Sequence, residues 1–246
     1  NDKVLSALYR PYVKKKYYYS KWLNWSLYKM PLIYPNQNQD NIIIAINQGT
    51  KPFNVIASKH IVDLHFNGDS NCLPLYRYDS VGTRRDNITD WGFNQFAKRY
   101  GKKGMSKEAI FHYVYAVLHH PAYRTKYELN LKREFPRVPF YDDFAQWSAW
   151  GKRLMELHIG YESVEPFGLQ RVVTDTKQAP KPKLKADKAA GAIIIDENTT
   201  LTGIPALAWE YKLGNRSALE WILDQYKESK PKDPTIAERF NTYKFS

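Results

Sequence analysis

The chain has 246 residues, 43% of them hydrophobic and 15% aromatic, with 37 Lys and Arg against 25 Asp and Glu, a formal net charge of +12 and a pI near 9.5. That aromatic content excludes an intrinsically disordered chain, and the length suits one large domain or two small ones. A single cysteine, Cys72, excludes an internal disulfide or a multi-cysteine zinc site, and no apolar run approaches the ~20 residues of a membrane span.

The charge excess points to a polyanionic partner, nucleic acid before an anionic membrane surface, with a merely basic enzyme as the alternative. No signal peptide opens the chain, which is expected in a reducing, cytoplasmic setting. It starts Asn1-Asp2-Lys3 without a methionine and reads as a piece of a longer polypeptide.

In chain order, the first thirty residues set Lys3, Arg10, Lys14, Lys15, Lys16, Lys21 and Lys29 against one acid, Asp2. Tyr17, Tyr18, Tyr19, Trp22, Trp25 and Tyr28 are interleaved with them, and Val13 to Tyr19 reads as a strand. Residues 31 to 80 read as β: Asn41 to Asn47 as a buried strand, then Phe53 to Ala57, Ile61 to Phe66 and Cys72 to Tyr78, with Pro74 marking an edge or bulge. A polar loop over 79–89 carries Arg84 and Arg85. Helices follow over Asp90–Tyr100, from the Ser106 N-cap to Pro121, from there to about Lys132, and over Asp142–Tyr161. The lysine- and proline-rich stretch 174–188 reads as a flexible loop. A small β segment runs from Ala192 past a turn at Glu197-Asn198, and Ser217 to Lys227 closes as a helix. The expected fold is α+β: a β-rich N-terminal part packed on a helical scaffold, with a further small β segment and a C-terminal helix.

Catalytic chemistry finds thin support. His60, Asp63, His65 and Cys72 do not have the paired spacing of zinc ligands, and His119-His120 suits the end of a helix. Glu210-Tyr211-Lys212, with Asp196 upstream, has the Glu-x-Lys form of many metal-dependent DNA nucleases, a short match that arises often by chance. Phosphate-cradling glycine loops, dinucleotide fingerprints and the Asn/Asp-Pro-Pro-Tyr/Phe of amino-group methyltransferases are missing from the sequence. Nucleic-acid contact is better served. Arg10, Lys14, Lys15 and Lys16 offer charge for phosphates beside flat aromatic faces. Arg84 and Arg85 suit guanine, and Asn47 and Gln48, with Lys51 nearby, suit adenine and the backbone. For any one lysine, a solvated face is the plain alternative.

Several strings occur together in order. They are Tyr9-Arg10-Pro11-Tyr12, Cys72-Leu73-Pro74-Leu75-Tyr76, Asn87-Ile88-Thr89-Asp90, the run from Ile110 to Pro121, Tyr123-Arg124-Thr125-Lys126-Tyr127, the run from Asn130 to Pro139, Leu157-His158-Ile159-Gly160-Tyr161-Glu162 and the run from Trp209 to Trp221. The series resembles the C-terminal specificity domain of type ISP restriction-modification enzymes. The likeness implies a target recognition domain over 31–246 behind an opening segment, 1–30, that resembles the end of an adenine methyltransferase. It implies double-stranded DNA as partner, with methyltransferase and helicase-like domains elsewhere in the same polypeptide. It also implies no catalytic centre in this chain, with S-adenosylmethionine, ATP and Mg²⁺ belonging to those other domains. In that family the Glu210–Lys212 string lies in the specificity domain, which weakens its nuclease reading. The alternatives are a metal-dependent nuclease and a non-specific DNA clamp or interdomain scaffold.

Overall fold

A computed structural model describes residues 4–36, 40–47, 49, 52–174, 180–227 and 233–238. The elements run β1 (Val4–Arg10), β2 (Val13–Tyr18), α1 (Met30–Ile33), β3 (Ile43–Asn47), β4 (Val55–Ser58), β5 (Ile61–Val62), β6 (Ser70–Pro74), β7 (Tyr76–Tyr78) and β8 (Arg84–Asp86). The helices α2 (Asp90–Tyr100), α3 (Lys107–His119), α4 (Pro121–Lys126), α5 (Glu128–Leu131) and α6 (Phe144–Ile159) follow. The last third holds β9 (Gln170–Val173), β10 (Pro182–Asp187), β11 (Ala192–Asp196), β12 (Thr199–Thr202), α7 (Ala206–Glu210), β13 (Lys212–Leu213), β14 (Arg216–Ser217), α8 (Ala218–Tyr226) and α9 (Pro234–Glu238). The fold is α+β. The described residues of Asn1–Arg10 and Lys14–Val164 form one compact unit, and those of Pro11–Val13 and Glu165–Ser246 form another.

In the larger unit, β3 is the centre of an antiparallel sheet ordered β4-β3-β6 and is buried along its whole length. An apolar run buried on both faces is what IIIAI encodes. Ile44, Ile46, Val55 and Ala57 from this sheet join Ile110, Tyr113, Val117, Leu118 and Met155 of α3 and α6 in one core. A β-rich part therefore packs on a helical scaffold. The helix α3 is buried on nearly every side, so its sequence reads as a continuous apolar run rather than a narrow stripe. It meets α6 at Gly151, where an added Cβ would lie 1.8 Å from the His112 carbonyl oxygen.

Buried tyrosines supply polar cross-links within this core. Tyr113 Oη donates to the Pro139 carbonyl (2.8 Å) and accepts from the Tyr141 amide (2.7 Å), and Tyr123 Oη donates to the Arg137 carbonyl (3.0 Å). They bind the strandless 136–141 segment to the helices and account for part of the tyrosine excess. Tyr115 Oη accepts from the Ala57 amide (2.9 Å) and lies 2.5 Å from His158 Nδ1, joining β4, α3 and α6. His158 is pushed down to about 4, first by burial and then by Arg124.

The smaller unit carries an antiparallel sheet ordered β10-β11-β12-β9 over a compact core of Ile193, Ile204 and Trp209. A hairpin, β13–β14, turns through Gly214 (φ +76°) into α8. Ser217 caps α8 in a full capping box: its side chain accepts from the Glu220 amide while Glu220 reaches back to the Ser217 amide.

The local signals held where they were strongest. Helix α2 has the expected bounds, Ser106 caps α3 and Pro121 opens α4. Elsewhere the structure differs. The helix expected to run to Lys132 breaks at Tyr127 into α4 and α5. The single strand expected over Cys72–Tyr78 divides at Leu75, so that β6 forms a sheet edge, as Pro74 indicated, while β7 turns away to pair with β8. The loop expected over 79–89 contains β8, and that over 174–188 contains β10 in the part described. Strand β1, which the sequence did not announce, pairs in parallel with β5.

Candidate nucleic-acid interface

Among the residues expected to touch DNA, Gln48 and Lys51 lie outside the described residues. Asn47 is a correction. Its side chain is fully buried, donating to the Pro52 carbonyl (2.9 Å) and accepting from the Asn54 amide (2.6 Å). A carboxamide so engaged braces the chain leaving β3 and is not presented to a base edge.

Arg10, Lys14, Lys15 and Lys16 come from the β1–β2 hairpin, and their charges are not equally free. Arg10 Nη1 is 2.9 Å from Asp63 Oδ1 and its guanidinium lies over the Tyr9 ring at 4.0 Å. Lys14 is paired with Glu162, whose carboxyl is held below its ordinary value first by that lysine. Lys15 sits 4.2 Å from the Tyr9 ring centroid, and Lys16 is exposed. The exposed Lys14–Glu162 pair is of a kind worth about 0–1 kcal/mol and opens readily to a competing phosphate, whereas the Arg10–Asp63 pair is half-buried.

Arg84 and Arg85 are on a strand and not in a loop. In the β7–β8 ribbon, Tyr76 faces Asp86, Arg77 faces Arg85 and Tyr78 faces Arg84. Arg84 stacks over Tyr76 at 4.4 Å. Arg85 reaches Asp79 at 3.3 Å, and that carboxylate is held below its ordinary value first by the Thr83 amide. Tyr78 is buried, whereas Arg77 and the ribbon tip around Val81 are exposed. Sequence reasoning missed Arg77. The alternation Leu75-Tyr76-Arg77-Tyr78 carried the signal, but its partner strand was read as loop.

A second set was hidden in the presumed linker. On β10, the exposed Lys183 and Lys185 alternate with Leu184 and Ala186, which pack against the small core. This strand is a sheet edge, and neither lysine is in an ion pair among the described residues. The Lys-Leu-Lys-Ala-Asp alternation is a period-two signal that the prolines and the high lysine content obscured.

Near β1 and β2, a cavity of about 630 Å³ is lined by Leu8, Tyr17, Leu27, Met30, Ile33 and Val62 among others. In the same segment, Trp22 (91%) and Trp25 (104%) are almost wholly exposed.

Of the residues considered for catalysis, Asp196 is engaged locally. Asp196 Oδ1 accepts from the amides of Asn198 and Thr199 (2.8 and 2.6 Å), as an aspartate heading a turn does. Glu210 ends α7 and Lys212 opens β13. Arg216 is paired with Asp224. His65 pairs with Asp69, and burial pushes the Cys72 thiol up to about 12. Among the described residues, no group of three or more His, Cys, Asp or Glu side chains is placed to hold a metal ion. Nor is any helix among them long and apolar enough to cross a membrane.

The chain matches the Type ISP C-terminal specificity domain family over residues 1–246. It belongs to that family. The cryo-EM structure of a DrdV–DNA complex superposes with a TM-score of 0.90 at 49% identity, over 99% of this chain and 26% of that one. A nuclease-deletion mutant of the Type ISP restriction-modification enzyme LlaGI, in complex with a DNA substrate mimic, gives 0.77 at 31% identity, over 94% of this chain and 21% of that one. The ATP-dependent Type ISP enzyme LlaBIII bound to DNA gives 0.79 at 26% identity, over 94% and 16%. The specificity domain thus spans about a quarter or less of these chains. No curated protein matches it.

Proposed function

We propose that this specificity domain binds double-stranded DNA in a sequence-dependent way and serves as the target recognition part of a larger type ISP restriction-modification polypeptide. The observation that carries the reading is the match of the whole chain to the family, with three relatives of known structure all in complex with DNA or a DNA mimic. The surface chemistry supports it. Lys15, Lys16, Lys183 and Lys185 present charge for phosphates, and the Arg10 and Lys14 pairs can open toward them. Arg84 and Arg85 stand on a narrow two-stranded ribbon, a shape that fits the major groove.

In this reading the chain supplies recognition, and catalysis belongs to other domains of a cytoplasmic bacterial enzyme. Those domains would carry S-adenosylmethionine, ATP and Mg²⁺. The apolar cavity beside Met30 and the exposed Trp22 and Trp25 support a contact with a neighbouring domain of the same polypeptide, since apolar patches of this kind mark interaction surfaces.

Selection of the purified chain on a random duplex library, at low and moderate salt, tests the proposal. A motif that stays enriched as salt rises is the expected result, because non-specific phosphate binding falls steeply with salt. Binding without any motif would leave a phosphate clamp.

A further inference from the structure

The β7–β8 ribbon sets two like charges directly opposite each other. Arg77 and Arg85 are cross-strand partners, and the flanking bonds, Asp79 amide to Thr83 carbonyl (3.1 Å) and Asn87 amide to Leu75 carbonyl (3.0 Å), make theirs a hydrogen-bonded position. Side chains at such a pair leave the same face with Cβ atoms about 5 Å apart, and like charges there destabilise a sheet. Arg77 is exposed and has no acid beside it among the described ion pairs. Asp79 offers one carboxylate to Arg85, and that carboxylate also accepts from the Thr83 and Val81 amides at the ribbon tip (2.9 and 3.2 Å). The opposite face is occupied: Tyr78 is buried, with its hydroxyl toward the Asp40 carbonyl, and Arg84 stacks on Tyr76.

We propose that the Arg77–Arg85 face of this ribbon reads guanine bases in the major groove, which deepens and rests on the target-recognition reading above. A two-stranded ribbon fits the width of that groove, and an arginine fork matches guanine O6 and N7 with two parallel hydrogen bonds. The two arginines have distinct preparation. Asp79 lies 3.3 Å from the Arg85 guanidinium and biases it toward the ribbon tip before DNA arrives. Arg77 is unrestrained and takes up a second base or the second strand of the site. Two arginines with one paired carboxylate, that of Asp79 on Arg85, still repel in the free protein, and an electron-rich groove edge relieves them, which accounts for their presence on an exposed ribbon.

The test is duplex selection with the full chain and with R77A, R77K, R85A and R85K. Wild type enriches a motif containing G·C pairs. Each alanine variant loses preference at one or two of those positions by roughly 5- to 150-fold, and lysine, which reaches O6 and N7 without the planar fork, restores it only in part. The salt dependence of R77K stays at the wild-type value. The melting temperature of R77A is unchanged or slightly higher, since a like-charge neighbour has gone. Should R77A and R85A weaken all sequences equally with the motif intact, the arginines contact phosphate and the inference is overturned, while target recognition stands. Should wild type enrich no motif, both readings fall together.

Discussion

The β1–β2 hairpin of the larger unit and the edge strand β10 of the smaller one treat positive charge differently. In the larger one, Arg10 and Lys14 are matched with acids that lie 53 and 148 residues away in the chain, Asp63 and Glu162. In the smaller one, Lys183 and Lys185 stand on an edge strand with no acid brought to them among the described residues. The larger unit has a helical core broad enough to carry distant segments past the β1–β2 hairpin. The smaller has a four-stranded sheet over Ile193, Ile204 and Trp209, and Lys183 and Lys185 of its edge strand are exposed. A run of lysines in a sequence therefore measures charge, while the charge available to DNA depends on which acids the fold delivers.

The largest expected effect probes the core that makes this delivery possible. Gly151→Ala puts a methyl group into the His112 carbonyl, and both atoms belong to helices that cannot yield by a rotamer change. Urea unfolding is expected to show a loss of roughly 3 kcal/mol or more. A loss under 1 kcal/mol would mean the α3–α6 contact is looser than drawn.

The same core sets a pH dependence. His158 has its folded pKa lowered from 6.5 to about 4, so the unfolded chain binds its proton first as pH falls. Its contribution is complete above pH 6.5 and is lost between about 6.5 and 4, on the order of 3 kcal/mol. Denaturation midpoints across that range should fall toward acid in wild type and fall less in His158→Gln.

The contrast in charge is addressed directly by two double variants. In K183Q/K185Q, the slope of log binding constant against log salt should drop by about 2, with affinity near 0.1 M salt lower by roughly 10- to 60-fold. In R10Q/K14Q the drop should be smaller, because each cation must first leave its acid. The charge-matched control K102Q/K103Q, in an exposed turn, should change neither quantity beyond the effect of net charge. Equal slopes for the first two variants would dissolve the distinction between the units.

The smallest effect concerns the independence of α8. Ser217→Ala removes the cap and one half of the capping box, at a cost of about 1 kcal/mol. Hydrogen exchange in α8 should quicken while exchange in α3 stays slow.

Much of the helical half was legible because its signals are local. The Ser106 cap and Pro121 act within a turn of the backbone they organise. The buried strand β3 was legible too, since an unbroken apolar run has few other uses. The ordered strings from Tyr9 to Trp221 carried the family and, with it, the proposed recognition role. What the sequence could not convey depends on partners far along the chain. The position of β8 opposite β7 turned a polar loop into a ribbon and set Arg77 across from Arg85. The Pro52 carbonyl and the Asn54 amide claimed the Asn47 side chain for the interior. Pairing of β10 with β11 turned a presumed linker into a lysine-faced edge. Composition, caps and periodicity are properties of neighbouring residues, so they survive in the linear chain. Strand pairing, burial of a polar side chain and the neutralisation of one charge by another require two distant segments to meet, and only the folded molecule decides which ones do.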